Sequence, residues 1–284
     1  DNDLLFLADC ARKAKERKSG HRVYYPVNRH INLTNVCSSN CPLCAFQVGA
    51  GDARGFVMEP DDIERVLTKA KETPNLSEIH IVSALHPDKP FSYYRAVVRQ
   101  VKAALPQADV KAFTPVEIVN FAKMTGKSIR EILTLLKEDG LDSLPGGGAE
   151  ILVDEVRRKV SPKKIMTDDW LHVMECAHSI GMESTATMVI GFGETMAQRI
   201  EHMEKVRRLQ DKTGGFRAFI TWTFQPGHTE LGGEKTSSWD YMRTLALSRL
   251  YMDNIAHIQG SWVTQGERIG QLTLGFGADD AGSI

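Results

Sequence analysis

The sequence lacks any long apolar run. No stretch of its 284 residues approaches the ~20 that a membrane-spanning helix needs. It also lacks an excess of either charge. Lys and Arg number 35 against 36 Asp and Glu, a net charge of −1. That balance argues against a nucleic-acid or membrane-surface partner. No Pro-, Gly- or Ser-rich linker, composition shift, short repeat or low-complexity tract interrupts the chain, so it reads as one domain. Neither a GxGxxG fingerprint nor a P-loop is present, which disfavours a dinucleotide-binding sheet. Cysteine is scarce and its number is odd. Cys10, Cys37, Cys41, Cys44 and Cys176 are the five, three of them within eight residues, unlike a disulfide framework. The N-terminal residues carry charge throughout, without the order of a signal peptide. The expected location is cytoplasmic, where thiols stay reduced and a cysteine cluster points to metal or catalysis.

What is present is the composition of an ordinary globular protein, 42% hydrophobic and 25% charged. A chain near this length buries roughly 75% of its unfolded surface. Short β-rich runs at 30–34, 79–83, 109–113, 141–144, 184–190, 216–223 and 258–262 alternate with helical patterns. The helices are expected at 60–71, 91–105, 115–124, 128–139, 167–180, 195–210 and 237–254, with Thr167 as a cap residue and Gly181 as a stop. Residues 1–27 read as a helical extension, and 237–284 as helices and a last strand that close the fold. Such alternation predicts βαβ units and a parallel sheet, an α/β barrel or partial barrel in a single domain. In barrels the chemistry sits at the C-terminal strand ends, and the notable polar and glycine motifs all follow expected strands.

The sharpest motif is CxxxCxxC, formed by Cys37, Cys41 and Cys44 directly after the first strand. Three thiolates this close can cap three irons of a [4Fe–4S] cluster, whose ligands are normally four cysteines. The fourth iron then stays open to a small molecule, as an open catalytic metal position does. The plainer alternatives are coincidence or a zinc site completed by a distant histidine, although zinc favours two CxxC pairs and this sequence has only one.

Later motifs carry paired readings. His86, in the loop after the second strand, is a structural loop residue or a group for substrate contact or proton transfer. Glu117 is a general base, a ribose ligand or a first-turn glutamate favoured by the helix dipole. The segment PGGGAEI at 145–151 admits a ligand to its backbone or makes a flexible turn. Cys10, Cys176, His172, His178 and His202 lie on helical patterns and read as packing or surface residues.

The cysteine loop resembles the radical S-adenosylmethionine (SAM) enzymes, which implies a TIM-type (βα) barrel or partial barrel. The resemblance implies Cys37, Cys41 and Cys44 as cluster ligands, with SAM on the open iron. Leu43 stands where that superfamily usually has an aromatic residue, and Phe46 is placed to supply the contact instead. Ser83 and Ala84 occupy the position of two glycines whose backbone receives the SAM amino group. Glu150 corresponds to a ribose or amino-group ligand. Ile190, within VIGFGET at 189–195, flanks adenine while Glu194 braces the loop. Gln225, within WTFQPG at 222–227, lies where backbone contacts adenine.

The resemblance narrows to radical SAM enzymes of the futalosine route to menaquinone, through NRHINLTNVC (28–37), CAF (44–46), PGGGAEI (145–151) and LQDKTGGF (209–216). The first half, with LHPD (85–88), PFSYY (90–94) and AFTPVEI (112–118), is similar to the branch that adds an adenosyl radical to 3-[(1-carboxyvinyl)oxy]benzoate. The second half, with SPKKI (161–165), TATM (185–188), DNIAHIQGSWVTQG (253–266) and FGADD (276–280), is similar to the cyclase branch, and its match is the longer. The cyclase resemblance implies abstraction of the ribose C4′ hydrogen of dehypoxanthine futalosine, ring closure onto its benzoate and loss of a proton to a base. Glu117 and His86 are the candidate bases, and Arg29 is a candidate partner for the substrate carboxylate. The implied partners are that small molecule and an external one-electron reductant. A reading of another class is a non-catalytic iron–sulfur or zinc protein, which leaves the glycine-rich loops unexplained.

Overall fold

The computed structural model describes residues 3–283. Asp1 and Asn2 of the expected N-terminal extension and Ile284 of the closing segment lie outside the described residues. Seven strands are present: β1 (Asn28–Asn32), β2 (Glu78–Val82), β3 (Asp109–Ala112), β4 (Ser143–Leu144), β5 (Glu183–Ile190), β6 (Phe216–Thr223) and β7 (His257–Gln259). Helix α1 (Leu4–Ser19) precedes them. Between strands lie α2 (Pro60–Lys71), α3 (Phe91–Ala104), α4 (Pro115–Thr125), α5 (Ile129–Glu138), α6 (Asp154–Val160), α7 (Thr167–Ser179), α8 (Met196–Thr213) and α9 (Ser238–Tyr251). Two short helices follow β7, α10 (Trp262–Gln265) and α11 (Glu267–Leu272).

Local chemistry explains the boundaries. Asp3 caps α1 by accepting the Phe6 N–H at 3.0 Å. Ser128 opens α5 and Thr195 opens α8, each in a reciprocal box with the residue three positions on. Gly126 ends α4 in the left-handed conformation and separates it from α5. The cap of α7 differs from expectation. Met166 is the cap residue, and Thr167 lies inside the first turn because its hydroxyl and N–H are taken by Asp154. The short α6 that supplies Asp154 has seven residues, too few to show a helical period. Trp262 also departs from expectation. The strand stops at Gln259, and Trp262 opens α10.

All strand pairs are parallel, and the order in space is the order in sequence, β1 through β7. His30 pairs with His80, His80 with Lys111, Lys111 with Ser143 and Ser143 with Glu183. A parallel sheet in simple sequential order, with a helical crossover at each step, curls into a partial barrel. Apolar side chains such as Ile79, Ile81, Ala186, Met188 and Phe219 are fully buried in the main core, which also takes in Val98, Leu136, Trp170 and Met203 of the helices. Among the described residues no helix is long and apolar enough to cross a membrane.

The edges β1 and β7 do not pair with each other among the described strands. Residues 279–281 fill the seam at its N-terminal end. The Tyr24 N–H donates to the Asp279 carbonyl at 2.8 Å, the Ala281 N–H to the Tyr24 carbonyl at 2.9 Å, and the Gly260 N–H to the Asp280 carbonyl at 2.9 Å. Asp279 pins this segment. Its fully buried carboxylate pairs with the fully buried Arg249 guanidinium and accepts from the Ile258 N–H at 2.9 Å. Burial alone would raise its pKa, but the His257 bond and the Arg249 charge hold it at about 2. A carboxyl held below its ordinary value contributes stability above that value and loses it as pH falls from about 4 through about 2. Asp279→Asn should therefore cost about 3–5 kcal/mol by stranding the buried guanidinium. It should also flatten the acid limb of the stability profile, as urea unfolding between pH 2 and 7 will measure.

Candidate active site

The barrel encloses a cavity of about 480 Å3 that is open at the C-terminal ends of the strands. The loop from β1 to α2 forms part of its mouth, and that loop is pinned by two buried side chains. Thr34 donates its hydroxyl to the Phe56 carbonyl at 2.6 Å and accepts the Val36 N–H at 3.1 Å. Asn35 donates to the Arg54 carbonyl at 3.0 Å and accepts the Phe56 N–H at 2.8 Å. The Cys37 N–H donates to the Val48 carbonyl and the Cys44 N–H to the Cys41 carbonyl, each at 3.0 Å. Cys37, Cys41 and Cys44 thus stand on a fixed loop, their thiols free and all lining the cavity.

Among the described residues no three His, Cys, Asp or Glu side chains close on one point as a single metal ion requires. Three thiols on one loop that lines one cavity suit a cluster ligated at its corners by cysteine. Burial pushes the Cys41 thiol up to about 11, so binding there must displace a proton. The three cysteines would hold the cluster and leave its fourth iron without a nearby protein thiolate.

Below the mouth, Ser83 and Ala84 line the cavity at the end of β2. Their N–H groups are already spent, on Glu117 at 3.2 Å and on the Thr34 carbonyl at 3.1 Å. Glu117 is almost fully buried and caps α4, accepting the Thr114 N–H at 2.7 Å and hydroxyl at 2.9 Å. Burial raises its carboxyl to about 7 against those bonds. Glu150 also faces the cavity and pairs with Lys164 at 2.6 Å and Arg157 at 3.6 Å. Burial would raise its pKa, and the two cations outweigh it and lower it. Gly146 serves packing between strands, since a Cβ there would sit 2.6 Å from the Thr185 carbonyl of β5.

The strand pleat decides which expected residues reach the cavity. Thr185, Thr187 and Val189 face inward from β5, so Ile190 points into the core and is fully buried. Phe46 lines the mouth with its edge toward Phe56, whereas Leu43 packs against the core. Gln225 lies outside the lining and donates to the Thr223 hydroxyl at 3.1 Å. His86 is also outside; its Nδ1 accepts the N–H groups of Asp88 and Lys89 at 3.1 and 3.3 Å and shapes the loop. Arg29 alternates away from the cavity and donates to Thr73 at 2.9 Å. Glu194 braces its loop through the N–H groups of Gly191 and Phe192 and pairs with Arg199 at 2.8 Å.

Sequence reasoning missed Lys164, His30, His80 and Lys111, all of which line the cavity. His30 and His80 occupy paired inward positions on β1 and β2 and stack with ring centres 4.9 Å apart. They lie two residues before Asn32 and Val82, about 6–7 Å deeper along the strands. Val82, Val189, Ile220 and Trp222 give the walls above them an apolar surface.

A parallel partial barrel with a three-cysteine loop after its first strand, lining a cavity at the strand ends, is the arrangement expected of an enzyme built around a cysteine-ligated cluster. Residues 31–206 match the radical SAM superfamily model, and 213–284 match the CofH/MqnC C-terminal region. The chain belongs to the radical SAM superfamily. It is 41% identical to the aminodeoxyfutalosine synthase of Thermus thermophilus over 98% of this chain and 76% of that protein. It is 40% identical to the cyclic dehypoxanthine futalosine synthase of Streptomyces coelicolor over 98% of this chain and 70% of that one. The fold is similar to crystalline methylornithine synthase, with a TM-score of 0.78 at 18% identity over 99% of this chain and 77% of that one. The family implies a [4Fe–4S] cluster and SAM.

Replacing Cys37, Cys41 or Cys44 singly by alanine should abolish bound iron and visible absorbance after anaerobic reconstitution. Cys10→Ala and Cys176→Ala should keep both. Iron analysis and spectra check this, and iron retained by the loop variants would remove the assignment.

Proposed function

We propose that this protein is a cyclase of menaquinone biosynthesis, converting dehypoxanthine futalosine to cyclic dehypoxanthinyl futalosine. The match of residues 213–284 to the CofH/MqnC C-terminal region carries this choice, joined to 40% identity to a cyclase over 98% of this chain and 70% of that protein. Cys37, Cys41 and Cys44 would hold the cluster, and the chemistry supplied there with SAM bound would be a 5′-deoxyadenosyl radical. Phe46, Ser83, Ala84 and Glu150 are the residues proposed to position SAM, with Lys164 fixing the Glu150 carboxylate.

The rest of the task is positioning and exclusion of water. Val82, Val189, Ile220 and Trp222 offer an apolar cleft to an aromatic ring. Glu117, with a carboxyl near 7, has the proton affinity of a general base at neutral pH. Its three bonds to Thr114 and Ser83 hold it in one orientation. The free thiols and the cluster suit a reducing, cytoplasmic setting, and an external one-electron donor is required.

The 41% identity to a Thermus aminodeoxyfutalosine synthase favours a second reading. In it the adenosyl group is joined to 3-[(1-carboxyvinyl)oxy]benzoate. Anaerobic turnover with SAM and dithionite, each substrate offered alone, separates the two by mass spectrometry. The cyclase reading expects free 5′-deoxyadenosine and a product two hydrogens lighter than dehypoxanthine futalosine. Adenosyl incorporated into the vinyl ether would establish the second reading instead.

A further inference from the structure

We infer that the floor of the cavity is a seat for the substrate's aryl carboxylate, made by the Lys111 ammonium with the His80 and His30 imidazoles. The inference deepens the proposed function and rests on its substrate class, since both candidate substrates are benzoates. Lys111 reaches the buried Glu78 carboxylate at 2.8 Å, and Arg217 reaches the same oxygen at 3.3 Å. Asn28 donates to its other oxygen at 3.3 Å. Two cations therefore share one carboxylate, and an ammonium has three N–H donors, of which Glu78 occupies one. Asp280 is the remaining acid near Lys111. Its carboxylate accepts the Gly282 N–H at 2.7 Å, and burial raises its pKa.

His80 supplies an independent observation. Its Nε2 is buried and has no hydrogen-bond partner among the described residues, although the ring lines the cavity. A buried polar atom left unpaired is costly, and a ligand oxygen would recover that cost. Burial and the neighbouring Lys111 hold His80 well below its ordinary pKa, so the stacked imidazoles are neutral donors or acceptors. One carboxylate oxygen can take an ammonium N–H while the other takes an imidazole N–H. The apolar walls directly above would then face the attached ring. Lys164, the other lysine lining the cavity, pairs with Glu150 beside Cys41 and Cys44, at the cluster end.

The test uses the reconstituted protein and two fragments, 3-methoxybenzoate and 3-methoxybenzamide, with affinities from ligand-observed NMR titration. Wild type should bind the carboxylate roughly 10- to 100-fold more tightly. The paired variant Lys111→Met with Glu78→Gln removes the Lys111 pair together and leaves only the part-exposed Arg217 without its carboxylate, and Tm and iron content report its folding. It should bind the two fragments alike, within about threefold. Lys111→Arg should keep most of the preference, and His80→Phe should weaken benzoate binding by about three- to tenfold. Equal binding of both fragments by wild type, or an undiminished preference in the folded paired variant, overturns the inference. A preserved preference without turnover of either benzoate substrate would sink the functional reading and leave the carboxylate seat standing.

Discussion

The two-residue pleat of seven parallel strands is the constraint on which the rest of this molecule depends. It sends Ala186, Met188 and Ile190 of β5 into the core and Thr185, Thr187 and Val189 to the cavity. Burying the outward set drives folding. The inward set is free to be polar only because the curled sheet leaves a space that water or a ligand can fill. The same alternation puts His30 opposite His80 and brings Lys111 alongside. Structure and chemistry are thus separated by face, and one strand serves both.

Three buried carboxylates among the described residues are each paired with a cation. Glu78 has Lys111 and Arg217, Glu150 has Lys164 and Arg157, and Asp279 has Arg249. Such pairs contribute little net stability but are expensive to break, so they fix geometry. The pair at Glu150 orders one side of the cysteine end, the pairs at Glu78 order the floor, and the pair at Asp279 locks the seam. Glu117 differs, because its partners are N–H groups and a hydroxyl rather than a cation. That difference leaves its proton affinity high.

Much of this was legible in the sequence. Seven strands and the main crossover helices stand near where alternating patterns place them, because long amphipathic helices and β-branched runs are strong local signals. The cysteine spacing pointed to the radical SAM superfamily, whose model residues 31–206 match. The floor was not legible. His30, His80 and Lys111 come from three separate strands, and each looks like an ordinary polar alternation until the register is known. Pairing the inward positions of adjacent strands is the signal that could have found them. Ile190 misled for the same reason, since adjacency in a motif says nothing about which face a residue takes. Trp262 misled because an aromatic and β-branched run resembles a strand, while Gly260 and the short turns after it decide otherwise.

The seam between Tyr24 and β7 has a kinetic consequence. Residues 279–281 complete hydrogen bonds to a segment more than 250 positions earlier, so the barrel is sealed by contacts of long sequence separation. Contacts of such sequence separation form late. Until then β1 and β7 present raw edges that invite pairing with other chains. A ribosome still holding this segment therefore holds an open trough rather than a vessel, and a chain cut short before Asp279 would expose adhesive edges.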